Sequence, residues 1–66
     1  MKVHFDENAD AVYLRLDDSK IIDSEEVKPG IILDFNENDQ VVGVEMLYVK
    51  GRVPLSNLKQ LQFEVA

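Results

Sequence analysis

The stretch GIILDFNENDQVVGVEMLYV, residues 30–49, decides how this chain folds. Ile31, Leu33 and Phe35 alternate with Ile32 and Asp34, the period of a strand whose two faces differ. Asn36, Glu37, Asn38 and Asp39 form a polar turn. Beyond it Val42, Val44, Met46 and Tyr48 fall on one face, and Val41, Gly43, Glu45, Leu47 and Val49 on the other. Both faces of this second strand are therefore partly apolar, which suits a central strand, an interface between molecules, or both. The spacing predicts strands over 30–35 and 40–49, paired as a hairpin.

Working outward, Val3 and Phe5 alternate with Lys2, His4 and Asp6, so 2–6 reads as a strand closed by the turn Glu7-Asn8-Ala9-Asp10. Residues 11–16 resume with Val12, Leu14 and Leu16 on one face and Tyr13 and Arg15 on the other. These two strands form the first hairpin. Asp17 to Lys20 break the pattern, and Ile21 to Val27 continue without clear period up to Pro29-Gly30. That segment reads as a crossing connection, part of it paired as a short edge strand, with Asp23, Glu25, Glu26 and Lys28 discouraging a stray strand from docking.

Downstream, Gly51 interrupts and Pro54 suits a first helical turn, where its missing N–H is harmless. Leu55, Leu58 and Leu61 give a narrow apolar stripe, predicting a helix over 54–62 that packs on one sheet face, with Phe63 and Val65 extending the contact. The expected fold is α+β: one domain over 1–66, an antiparallel β-meander of four strands with one C-terminal helix.

Sixty-six residues bury a thin core, and the hydrophobic gain of such a chain nearly balances its ordering entropy. A staple is the usual remedy. Cysteine is absent and His4 is the single histidine, so neither a disulfide nor a structural zinc site supplies one. Another subunit remains: a homodimer, or a complex with a small basic partner protein. The net charge of −6 repels phosphate backbones and anionic lipid. Nucleic acid is disfavoured as a direct partner unless a dimer gathers Lys2, Arg15, Lys50, Arg52 and Lys59 on one face. No leader pattern opens the sequence and no apolar run reaches the ~20 residues that span a bilayer, so the expected location is cytoplasmic, with no membrane association.

Several polar residues stand at spacings that chemistry uses. Asp34, Asn36, Asn38 and, at the twelfth position, Glu45 reproduce much of the ligand spacing of a helix-loop-helix calcium site, but Asp39 stands where that loop needs glycine and strands flank it instead of helices. Local hydrogen bonding in a hairpin turn accounts for the same residues. Asp6, Asn8 and Asp10 repeat the theme with neither the glycine nor the closing glutamate. Glu45, in mid-strand with Asp34 opposite, is either one half of an acid/base carboxylate pair or an exposed residue paired with Arg15 or Lys50. His4 lies on the polar phase of its strand, with no cysteine and only Ser19, Ser24 and Ser56 as possible nucleophiles; it reads as an exposed strand histidine, and no catalytic residue and no cofactor is identified. Gly43 in mid-strand marks a bulge or a close approach to the backbone.

Three stretches taken together resemble a known family: Phe5-Asp6 with Asp10 to Leu16, Ser24 to Val27 with Pro29 to Asp34, and Val41 to Leu47. They are similar to the short prokaryotic proteins grouped as domain of unknown function 2283, the likeness covering residues 3 to 48. The resemblance implies no assigned activity; an antitoxin-like role is what it implies from members encoded beside small toxin-like proteins. In the family the turn before the long strand commonly has glycine where this chain has Asp39, so Asp39 or Asn38 must carry the left-handed conformation.

The functional expectation is a self-associating protein-interaction module, with Tyr13, Tyr48, Met46, Leu47, Leu58 and Leu61 as interface candidates. The alternative is a small divalent-metal-binding or acid/base protein built on the turn and mid-strand carboxylates.

Overall fold

Five strands, not four, make up the sheet in the computed structural model, which describes residues 1–65. They are β1 (Lys2–Asp6), β2 (Ala11–Arg15), β3 (Asp23–Lys28), β4 (Ile31–Phe35) and β5 (Val41–Leu47). All neighbours are antiparallel and the spatial order is β1-β2-β5-β4-β3. The order corrects the simple meander: after the β1–β2 hairpin the chain crosses to the far edge, and β5 returns to fill the gap between β2 and β4. The two-sided apolar pattern of the long strand reflects that central place.

The supposed crossing segment is a full edge strand. β3 pairs with β4 from Asp23 opposite Phe35 to Lys28 opposite Ile31, with a bulge at Val27. Solvent reaches all six residues, so no apolar alternation was needed to hold them. The long strand ends earlier than 49, because Tyr48 turns left-handed (φ 57) and Val49–Gly51 follow as a 3-10 turn.

The C-terminal helix is also shorter than 54–62. α1 (Leu55–Leu58) is a single turn after Pro54, closed by Lys59 at φ −88 and ψ −3. Leu55 is exposed and Leu58 half-buried, so this turn does not cap the sheet as a helix of two and a half turns would. Leu61 and Phe63 beyond it flank the apolar face but stay largely exposed.

Register gives the two faces opposite characters. One carries the rows Val3-Leu14-Val44-Leu33-Glu25 and Phe5-Val12-Met46-Ile31-Lys28; the other carries Lys2-Arg15-Gly43-Asp34-Ser24 and His4-Tyr13-Glu45-Ile32-Glu26. Among the described residues the fully buried apolar side chains are Val42 and Val49. Val49 is held over the first hairpin, its N–H bonded to Asp10 O at 3.2 Å, and the Lys50 N–H donates to Asp10 Oδ1 at 2.9 Å.

The chain is a slab of 36 × 30 × 20 Å with a Cα radius of gyration of 12.7 Å, against about 10.8 Å for a compact domain of this length. Its accessible surface is 5197 Å², whereas a folded monomer of 7.5 kDa exposes roughly 4,250 Å². The excess of about 950 Å² combines the uncovered sheet face with the exposed C-terminal side chains Leu61, Phe63 and Val65.

Candidate functional site

Two features stand out, one on each face of the sheet. The polar face gathers a hydrogen-bonded cluster around Gly43. Because Gly43 has no side chain, the Tyr13 hydroxyl and Asp34 Oδ2 both lean over it; a Cβ there would lie 2.7 Å from the first and 2.8 Å from the second. The mid-strand glycine thus marks a close approach, and the bulge lies beside it, where Phe35 pairs with Val41 and Val42 is the extra residue.

Asp34 is 2% exposed. A buried carboxylate needs donors, and the Ser24 hydroxyl supplies one to Oδ1 at 2.6 Å. Glu45 is half-buried on the next row of the same face. Burial, then the neighbouring Asp34 carboxyl, pushes the Glu45 carboxyl above its ordinary value. The pairing of Glu45 with Arg15 or Lys50 is not what forms. Arg15 instead donates to the Tyr13 hydroxyl at 3.2 Å and to the carbonyl oxygens of Asp17 and Ser19, tying the β2–β3 connection to the sheet. Among the described residues no set of three His, Cys, Asp or Glu side chains stands at metal-holding spacing.

The calcium-like spacing resolves into turn chemistry. The Asn36 side-chain oxygen accepts from the N–H groups of Asn38 and Gln40, each at 3.0 Å, and its amide nitrogen donates to Ser19 Oγ and Gln40 Oε1. Both ends of that amide are committed, and Asn38 is exposed. Asp39 takes the left-handed conformation (φ 60), as the resemblance required of it or Asn38. In the first turn Asp6 Oδ1 accepts from the N–H groups of Asn8 and Ala9, and Asp10 is left-handed. His4 is exposed opposite Tyr13.

The second feature is a trough of about 380 Å³ on the apolar face, floored by Val3, Val12, Leu14, Val44 and Met46 and flanked by Met1, Leu61 and Phe63. Of the interface candidates, Met46 and Leu61 line it. Tyr13 and Leu47 lie half-buried on the polar face, Leu58 sits in the helical turn, and Tyr48 is exposed beside Gly30 at one end of the sheet. Val3, Leu14 and Val44 were absent from that set, yet their alternation in three separate strands is the signal that joins them.

A family model described as "Protein of unknown function (DUF2283)" matches residues 2–50, which takes in all five strands. No curated protein and no solved structure matches the chain. No helix among the described residues is long and apolar enough to cross a membrane.

Proposed function

The chain belongs to the family of proteins of unknown function DUF2283, and because that membership carries no activity, we propose from the fold that it is a self-associating interaction module. Its apolar sheet face is covered by a second copy. The observation that carries this reading is the trough over Val3, Leu14 and Val44 together with the surplus of about 950 Å² of surface. A standard-size protein interface buries ~800 Å² on each partner, so one such contact would bring the chain to the exposure of an ordinary small domain.

Burial in a dimer also answers the problem of a thin core, since two copies of one face stack as a sandwich about 10 Å thick. The polar face favours the opposite role. Its buried carboxylate is already supplied with partners from the same chain, so covering it with apolar surface would strand Glu26, Lys2 and His4 without water.

Sedimentation equilibrium at micromolar concentration tests the reading, with twice the 7.5 kDa chain mass expected. Val3→Lys, on the edge strand and 43% exposed in the single chain, should retain the circular dichroism of the sheet and sediment as a monomer. A wild-type chain that stays monomeric at tens of micromolar with a cooperative melt would overturn it.

A further inference from the structure

The residues after the helical turn read Gln60-Leu61-Gln62-Phe63-Glu64-Val65, a strict alternation of polar and apolar side chains. That is the period of a half-buried strand, not of a helix. Nevertheless residues 61–65 lie outside every strand, and among the described residues none of the backbone hydrogen bonds between elements involves them. Leu61, Phe63 and Val65 are 70%, 77% and 83% exposed. A segment with the side-chain pattern of a strand therefore has neither a ladder nor a covered face.

The two edges of the sheet differ in their readiness to supply a ladder. β3 is bulged and presents Asp23, Glu25, Glu26 and Lys28, the usual protection against an added strand. β1 is unbulged, pairs with β2 at all five positions and carries no acidic residue before Asp6. Its free edge offers Lys2 and His4 on the polar face, matching Glu64 of the segment, whereas the acidic β3 edge would repel Glu64. Val3 and Phe5 continue the apolar face on which Leu61, Phe63 and Val65 need to land.

We propose that residues 60–65 of one copy add as a sixth strand to the β1 edge of a second copy, and that the exchange is reciprocal about a twofold axis. This rests on the self-association reading above and names the element that performs it. In its own chain the segment lies beside Met1 and Val3 across the mouth of the trough, where its side chains stay exposed. On a partner's edge the same side chains extend that partner's apolar face and the backbone gains ladder hydrogen bonds.

Because the chain has no cysteine, engineered pairs report the contact without background. Full-length His4→Cys is mixed with full-length Gln60→Cys, Gln62→Cys or Glu64→Cys, all on the polar phase, and separately with Leu61→Cys or Phe63→Cys on the apolar phase. After mild oxidation one or two polar-phase pairs should form the mixed disulfide at least ten-fold faster than either apolar-phase pair. Sedimentation of the unmodified chain runs in parallel. A dimer whose cross-links ignore the phase overturns the strand addition and leaves the self-association standing. A monomer in sedimentation overturns both. A His4→Cys, Gln62→Cys double variant that closes its disulfide only within one chain places the segment on its own edge and also overturns the exchange.

Discussion

Replacing Gly43 with alanine tests the packing of the polar face at its tightest point. The new methyl would stand 2.7 Å from the Tyr13 hydroxyl, 2.8 Å from Asp34 Oδ2 and 3.2 Å from Tyr13 Cε1, where comfortable contacts lie near 3.5–4.0 Å. Both clashes must be relieved. The Tyr13 ring swings away and loses the hydrogen bond from Arg15, at about 0.5–1.5 kcal/mol. The Asp34 carboxylate rotates as well and weakens its bond from Ser24, leaving a buried acceptor short of a donor at ~1–3 kcal/mol. Reduced freedom of the unfolded chain offsets roughly 0.4–1 kcal/mol of this. The expected result is a net loss of about 0.5–4 kcal/mol, centred near ~2 kcal/mol. Urea unfolding at one fixed protein concentration, followed by circular dichroism, measures it; with a slope near ~1 kcal/mol/M the midpoint falls by about 2 M. The control is Tyr13→Phe, which removes the nearest oxygen. Gly43→Ala should cost ~1 kcal/mol less in that background, a coupling of the size seen for contacting residues. Equal cost in both backgrounds, or no cost in either, would refute the close-approach argument.

Glu45 has its carboxyl raised by burial and by Asp34, so the folded state holds a proton that the unfolded state releases, and its contribution is complete below the ordinary carboxyl range and lost as pH rises through the raised value. Glu45→Gln should therefore gain stability over wild type progressively as pH rises; parallel urea midpoints between about pH 4 and pH 8 would contradict this. Gly30 sits at φ 79 with an added Cβ 2.7 Å from an Arg52 guanidinium nitrogen that donates to Pro29 O, so Gly30→Ala should lower the melting temperature by more than roughly 8 °C. A smaller shift in the thermal melt would mean the turn relaxes freely. Asp10 combines a left-handed backbone (φ 55) with a bond to the Lys50 N–H, so Asp10→Gly should lose about 1 kcal/mol and Asp10→Ala about 2 kcal/mol in urea unfolding. Equal losses would show that the backbone conformation contributes nothing.

Strands with one apolar face were legible because alternation records burial directly, and β1, β2, β4 and β5 all show it. β3 was only partly legible for the same reason: an edge strand wet on all six residues has nothing to alternate, and its pairing is carried by backbone groups that every residue type shares. The position of β5 between β2 and β4 follows from which backbones meet after the crossing, which no local pattern encodes, although the apolar residues on both its sides hinted at a central place. The C-terminal helix was overextended because Leu55, Leu58 and Leu61 fit a helical stripe for two turns, while the change to two-residue alternation from Leu61 onward was the contrary signal. At the site, the hairpin alone put Asp34 and Glu45 on one face but set them opposite each other, whereas the bulge places Asp34 opposite Gly43 and Glu45 opposite Ile32, one row apart. Tyr13, Arg15 and Ser24 entered only through the registers of β2 and β3 against the second hairpin.

The charge pattern along the apolar face further limits how two copies can meet. Each apolar row ends at the β3 edge in a charged residue, Glu25 in one and Lys28 in the other, and Asp23 lies beside Phe35 on the same side. Stacking the two sheets over their full width would press these groups against apolar surface, at several kcal/mol for each charge left unpaired. Stacking only the β1-β2-β5 half keeps them in water and still covers Val3, Val12, Leu14, Val44 and Met46, the residues that floor the trough. In that half lie both the unprotected β1 edge and the alternating segment 60–65, so covering the face and extending the ladder make use of the same side of the molecule. Under the proposed exchange the β3 edge, with its bulge and acids, would stay outside and halt further strand addition, so that the assembly would close at two copies instead of growing into a fibre.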